Sequence, residues 1–153
     1  MFDLEMWKTT RIILAKMVDK LSDEELLLAP EGFNNSMLWN LGHILNIQQV
    51  LHYKLCSLEV PMDKSQMNFF TQGTSPIQWS GTPDIKYLRS FILESLNQTL
   101  DDRVNQKFKT FKPFSTSTGV VISDFESCLA FNFFHEGLHT GYMMAQRKAI
   151  RIT

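Results

Sequence analysis

Four histidines are the residues of this chain best suited to do chemistry, and two of them stand at an informative distance. His135 and His139 bound the stretch His135-Glu136-Gly137-Leu138-His139. In an α-helix, at ~100° per residue, a spacing of four leaves two side chains ~40° apart on one face and one turn apart. Two imidazoles so placed can share one ion, each at ~2.0–2.1 Å. Phe133 and Phe134 precede the pair. In such apolar company an imidazole needs a polar partner, and a shared metal would supply one to both.

A third ligand must come from elsewhere. His43 and His52 lie on one predicted helix, nine residues apart, and ~900° of rotation puts them on opposite faces, so only one can serve. His43 sits among Trp39, Asn46, Ile47 and Val50, a mixed apolar and amide stripe expected to face inward. His52 lies near Gln48, Gln49, Lys54 and Glu59 and reads as a surface residue. The expected ligand set is therefore His43, His135 and His139. H-E-x-x-H is also the signature of metalloproteases, in which the glutamate is the base and a further ligand lies downstream. Residues 140–153 contain no His, Asp or Glu, which argues against that reading. Glu136 lies ~100° round the helix from His135 and is expected behind the ligands or in solvent rather than as a base. Asn132, Tyr142 and Gln146 fall on the histidine face, and Asn46 follows His43 by three on the partner helix. These four are expected to orient ligands or line a cavity.

Helices must position these side chains. Apolar periodicity marks a first helix from about Leu4 to Leu21, with Met6, Ile13, Met17 and Leu21 as its buried stripe. Ser22 and Glu25 form a capping box for a short extra turn before Pro30. Ser36 caps a second helix reaching about Cys56. Residues 57–83, broken by Pro61, Gly73, Pro76, Gly81 and Pro83, form a long irregular connection expected to roof a pocket. Thr82-Pro83 then starts a third helix, to about Asp101. Phe108–Phe111 and Val120–Ile122 suggest a small β-hairpin, and Ser123 with Glu126 caps a fourth helix to about Lys148. The expected fold is all-α: a four-helix bundle with a long crossover connection between the second and third helices.

Composition bounds the function. The chain has 153 residues, 44% apolar, enough for one domain over 1–153 with a core that needs no disulfide. Fifteen basic against sixteen acidic residues leave no basic footprint for nucleic acid. The first residues lack a signal-peptide pattern, and the apolar runs fall short of the ~18 residues of a membrane span. Cys56 and Cys128 have no metal-type spacing and read as buried free thiols, as in a cytoplasmic protein.

Two stretches together resemble a known family. Asn35-Ser36-Met37-Leu38-Trp39-Asn40-Leu41-Gly42-His43-Ile44-Leu45, followed some way on by His135-Glu136-Gly137-Leu138-His139-Thr140-Gly141, is similar to the DinB-like superfamily of small metal-binding four-helix bundles, which includes the YfiT-type hydrolases. The resemblance covers nearly the whole chain and implies one histidine ligand from helix two and two from helix four, matching His43, His135 and His139. It further implies a metal-dependent transferase that joins a low-molecular-weight thiol to an electrophile, a thiol-dependent isomerase, or a hydrolase. One departure bears on substrate class: relatives often carry an amide after the glycine matching Gly141, where this chain has Tyr142.

Three neutral imidazoles leave a divalent ion, Zn²⁺ or Ni²⁺, with its full charge and an open position for water or a thiol. The partners expected are thus a small-molecule substrate, a low-molecular-weight thiol and, as an assembly, a homodimer; the alternative is a metal-binding or stress-associated bundle without turnover. Cys128 precedes His135 by seven residues, ~10 Å along the axis, too far to act at the ion itself.

Overall fold

Asp3 opens the first long helix by accepting bonds from the Glu5 and Met6 amides, and α1 then runs over Leu4–Val18. The computed structural model describes residues 3–151. Ser22 and Glu25 cap each other's ends at α2, Asp23–Leu27. Ser36 caps α3, Met37–His52, after which a single 3₁₀ turn spans Lys54–Cys56. The connection that follows contains a short helix α4, Lys64–Met67, and 3₁₀ turns at Asn68–Phe70 and Pro76–Gln78. α5 covers Ile85–Val104 and α6 covers Phe125–Ile150. Between them lies an antiparallel pair, β1 (Phe114–Ser115) and β2 (Val121–Ile122), with Phe114 opposite Ile122.

The fold is all-α: the long helices α1, α3, α5 and α6 form the bundle, and α3 crosses over to α5 through the long connection. α3 packs on α6 and on α5, and α1 packs on α5. No helix among the described residues is long and apolar enough to cross a membrane. Both cysteines are free and buried.

Four local expectations need correction. α5 is capped by Asp84, not Thr82, because the Asp84 carboxylate reaches the Tyr87 amide. α6 is capped by Asp124, whose side chain accepts from the Ser127 amide while Ser127 Oγ accepts from the Asp124 amide; the Ser123 hydroxyl instead donates to Asp124. The first hairpin strand lies at Phe114–Ser115, beyond Pro113, rather than at Phe108–Phe111. Phe108 stacks on Phe125, with centroids 4.0 Å apart, so that segment is committed to side-chain packing.

The fourth correction concerns α1. Met17 and Leu21 are buried as expected, but Met6 and Ile13 are about half exposed, and Trp7, Arg11, Leu14 and Val18 make up the rest of the core face. The expected stripe left out Arg11, which lies on the core face. Arg11 is fully buried and ion-paired with Glu136 of α6. Its guanidinium also donates to Ile92 O (3.2 Å) and Ser95 Oγ (3.3 Å) on α5 and to Gln48 Oε1 (2.9 Å) on α3. Trp7 Nε1 and Asn132 Nδ2 complete the shell around the Glu136 carboxylate, at 3.1 and 2.7 Å. One charge pair thereby ties all four long helices together.

Candidate metal centre

The sequence folds so that α3 and α6 lie against each other, and this brings three imidazoles to one point. The ring centroids of His43 and His135 are 5.2 Å apart, those of His43 and His139 4.9 Å, and those of His135 and His139 4.5 Å. One nitrogen from each ring can be chosen so that all three lie within 4.8 Å of one another. Among the described residues no carboxylate or thiol joins this group.

Hydrogen bonds fix which nitrogen of two rings is free. His43 Nδ1 lies 2.8 Å from the carbonyl oxygen of Phe70; a carbonyl only accepts, so Nδ1 carries the proton and Nε2 keeps its lone pair. His139 Nδ1 lies 2.8 Å from Asn40 Oδ1. The orientation of that amide is set by Asn40 Nδ2, which donates to Ser36 O (2.9 Å) and Gln146 Oε1 (3.2 Å). His139 is therefore also protonated at Nδ1 with Nε2 free. Trp39 stacks on His43 with centroids 4.7 Å apart and planes 11° from parallel, and Phe131 lies against His135. His135 Nδ1 is buried without a protein partner, so the cluster's own hydrogen bonds do not complete it.

Burial pushes all three rings below the ordinary histidine range. His135 falls to about 3 and His139 to about 4, each by desolvation first and then by the neighbouring imidazoles. His43 is lowered by burial against the opposing pull of the Phe70 carbonyl. The rings are thus neutral at pH 7, the form in which imidazole binds metal. Two lone pairs held by second-ring hydrogen bonds, an unpartnered third ring and no ammonium or guanidinium beside them make a donor set that fits a divalent cation.

The cluster opens into a cavity of about 390 Å³. Its walls are Trp39, Ile47, Val50 and Leu51 of α3 and Phe131 of α6, with the three histidines at its base. The roof differs from expectation. The long connection contributes Gln72, and the rest comes from the hairpin, through Phe114, Thr116 and Ser117. A larger groove of about 490 Å³ between α1 and α6, lined by Ile13, Phe134 and Met144 among others, contains none of the histidines.

The remaining expected residues divide. Gln146 is buried and supports His139 through Asn40, and it also donates to Asn35 O. Asn46 Nδ2 donates to Met67 O at 3.3 Å, which ties α3 to the long connection, while its Oδ1 is buried without a partner. Asn132 belongs to the Arg11–Glu136 network and not to the cavity. Tyr142 is 42% exposed and meets Phe33 edge-on, outside the cavity.

His52 is a correction: it is fully buried, not on the surface. Gln48 and Gln49, which looked like signs of solvent, are fully buried too; Gln48 bonds to Ser95 and Thr99 of α5 and to Arg11, whereas the Gln49 amide has no hydrogen-bond partner among the described residues. His52 Nδ1 lies 3.5 Å from Thr99 Oγ1, and its ring meets Trp7 and Phe125 edge-on. It stays apart from the three-histidine cluster, as the rotation argument requires.

Two supporting groups escaped the sequence reading. Asn40, one turn before His43 on the same helix, could have been found from its spacing. The Phe70 carbonyl could not, because a backbone acceptor has no residue signature.

No curated protein matches the chain. The family model of the DinB superfamily matches residues 6–143, a span that starts within α1 and ends within α6 and so includes His43, His135 and His139. On that match, the chain belongs to the DinB superfamily.

Proposed function

We propose that the protein is a metal-dependent enzyme in which His43, His135 and His139 hold a divalent ion, Zn²⁺ or Ni²⁺, that activates a small thiol in preference to water for attack on an electrophilic small molecule. The observation that carries this reading is the convergence of three neutral imidazoles on an accessible cavity. When bound, such an ion brings the pKa of coordinated water to about 7 and equally stabilises a thiolate.

The chain's own residues supply position rather than a nucleophile. Phe70 O and Asn40 hold His43 and His139 in the tautomer that presents Nε2. Trp39 and Phe131 limit the rotation of His43 and His135 by stacking. Cys128 is fully buried, donates to Leu51 O, and has its thiol pushed well above the ordinary range by burial, so it is a poor nucleophile. Glu136, the glutamate of the H-E-x-x-H string, is held by Arg11, Trp7 and Asn132 and is not available as a base. With no thiol or carboxylate in the histidine group among the described residues, this reading takes the nucleophile from outside the chain.

The test joins metal analysis to a conjugation assay. Zinc- or nickel-loaded protein should bind about one ion per chain and couple bacillithiol or glutathione to monochlorobimane, with chelation abolishing the reaction. Metal-dependent ester hydrolysis without a thiol would shift the assignment to a hydrolase. Stoichiometric metal with no turnover in either assay would make this a metal-binding bundle without catalysis.

A further inference from the structure

One residue in five of this chain is charged, yet none of the residues lining the histidine cavity carries Asp, Glu, Lys or Arg. A cavity elsewhere in the same fold, between the end of α3 and α5, is lined by Glu59, Asp102 and Lys107, so the fold does place charges in cavities. Beside the histidines the walls are Ile47, Val50, Leu51 and Phe131, and Phe114 closes over them from the hairpin. The polar groups at hand, Gln72, Thr116 and Ser117, all stand at the roof. A charged group held among the walls, rather than on the ion itself, would lose its hydration and gain no counter-charge from a side chain. An aryl or alkyl group there would instead gain from the apolar surface removed from water. At about 390 Å³ the space suits one small ligand arm and falls within the ordinary range of ligand pockets.

We infer that the part of the substrate buried beside the three histidines is an uncharged, apolar arm, aryl or branched alkyl, and that Val50, Phe131 and the hairpin residue Phe114 determine this selectivity. The inference rests on the metal-site reading and narrows it. The reacting centre lies at the histidine end, the apolar arm lies against α3 and α6, and any charged portion of the substrate or of the thiol lies beyond Thr116 and Ser117 in solvent. Phe114 is 44% exposed and sits on a two-residue strand, so it can be replaced without disturbing the bundle core.

Metal-directed probes that differ only in the arm test this. Calorimetric titration of the zinc-loaded full chain with acetohydroxamate, benzohydroxamate and 4-carboxybenzohydroxamate uses one metal-binding head and three arms. Benzohydroxamate should bind about tenfold or more tightly than acetohydroxamate and about tenfold or more tightly than the carboxylated probe. Val50→Lys should reverse the second preference by giving the carboxylate a partner. Phe114→Ala should weaken benzohydroxamate while leaving acetohydroxamate unchanged, and it covers the case in which Val50→Lys fails to fold. Zinc binding with equal affinity for benzohydroxamate and its carboxylated analogue would overturn this inference alone. Failure of zinc to bind stoichiometrically would overturn the proposed function and this inference with it.

Discussion

His43 and His52 share a helix but live in different surroundings, and their substitutions should separate cleanly. His43→Ala, His135→Ala or His139→Ala is expected to abolish stoichiometric metal, whereas His52→Ala should leave metal content unchanged; elemental analysis of the four purified variants decides it. Asn40→Ala removes the acceptor that holds His139 in its tautomer and should weaken metal affinity about 10–100-fold without removing a ligand, measured by competition with a chelator. His52 has its own signature in stability. Burial and the nearby Arg11 charge push it down to about 3, against about 6.5 in an unfolded chain. Below pH 6.5 the unfolded state takes up a proton that the folded state refuses, so the stability associated with His52 is complete above that pH and is lost as pH falls toward 3. Between pH 7 and pH 5 the wild type should lose about 2 kcal/mol more than the His52→Gln variant, as read by denaturant unfolding at each pH. A smaller loss in the wild type would show that His52 is protonated in the fold.

At the scale of elements, two helical glycines make opposite predictions. A Cβ on Gly42 would overlap the Phe70 ring, so α3 can receive the long connection only with glycine there. The approach also places the Phe70 carbonyl on His43. Gly42→Ala is therefore expected to displace Phe70 and to lower both stability and metal affinity. Gly137 lies between the two α6 histidines, and a Cβ there meets nothing within 4 Å. Gly137→Ala should stabilise α6 by up to about 1 kcal/mol through helix propensity alone, with metal affinity unchanged. Thermal unfolding and chelator competition on both variants check the pair, and equal effects at the two positions would refute the argument.

At the scale of the whole molecule, the Arg11–Glu136 pair joins α1 to α6 and reaches α3 and α5 through Gln48 and Ser95. It lies one residue along α6 from His135, so the same helix rotation that buries Glu136 turns the histidine pair toward α3. Removing one partner leaves a buried charge unpaired, and Glu136→Gln should cost about 3–5 kcal/mol. The double replacement Arg11→Met with Glu136→Leu should cost clearly less, because no charge is then left unsatisfied. Denaturant unfolding of Arg11→Met, Glu136→Leu and the double variant measures the difference, and simple additivity of the two single losses would show that the pair is not coupled.

Periodicity and spacing were sufficient for the helical architecture, the crossover, the pairing of His135 with His139 and the placing of His43 and His52 on opposite faces, because helix rotation is a local geometric property that needs no knowledge of neighbours; the choice of His43 leaned also on a surface reading of His52 that the fold overturns. Ser36 and the Ser22 capping box were legible for the same reason. Only the tertiary structure decided which polar residues are buried. Arg11, Gln48 and His52 look like surface residues in one dimension and become core residues once their partners arrive from other helices, as Glu136 does for Arg11 from 125 positions away. The placements of Asn132 and Tyr142 failed on the same ground: sharing a helix face over one or two turns does not say which neighbour covers it. The roof of the cavity and the Phe70 carbonyl were likewise beyond the sequence, since a hairpin folding over a bundle and a backbone oxygen turned toward a ring are set by long-range packing rather than by residue type.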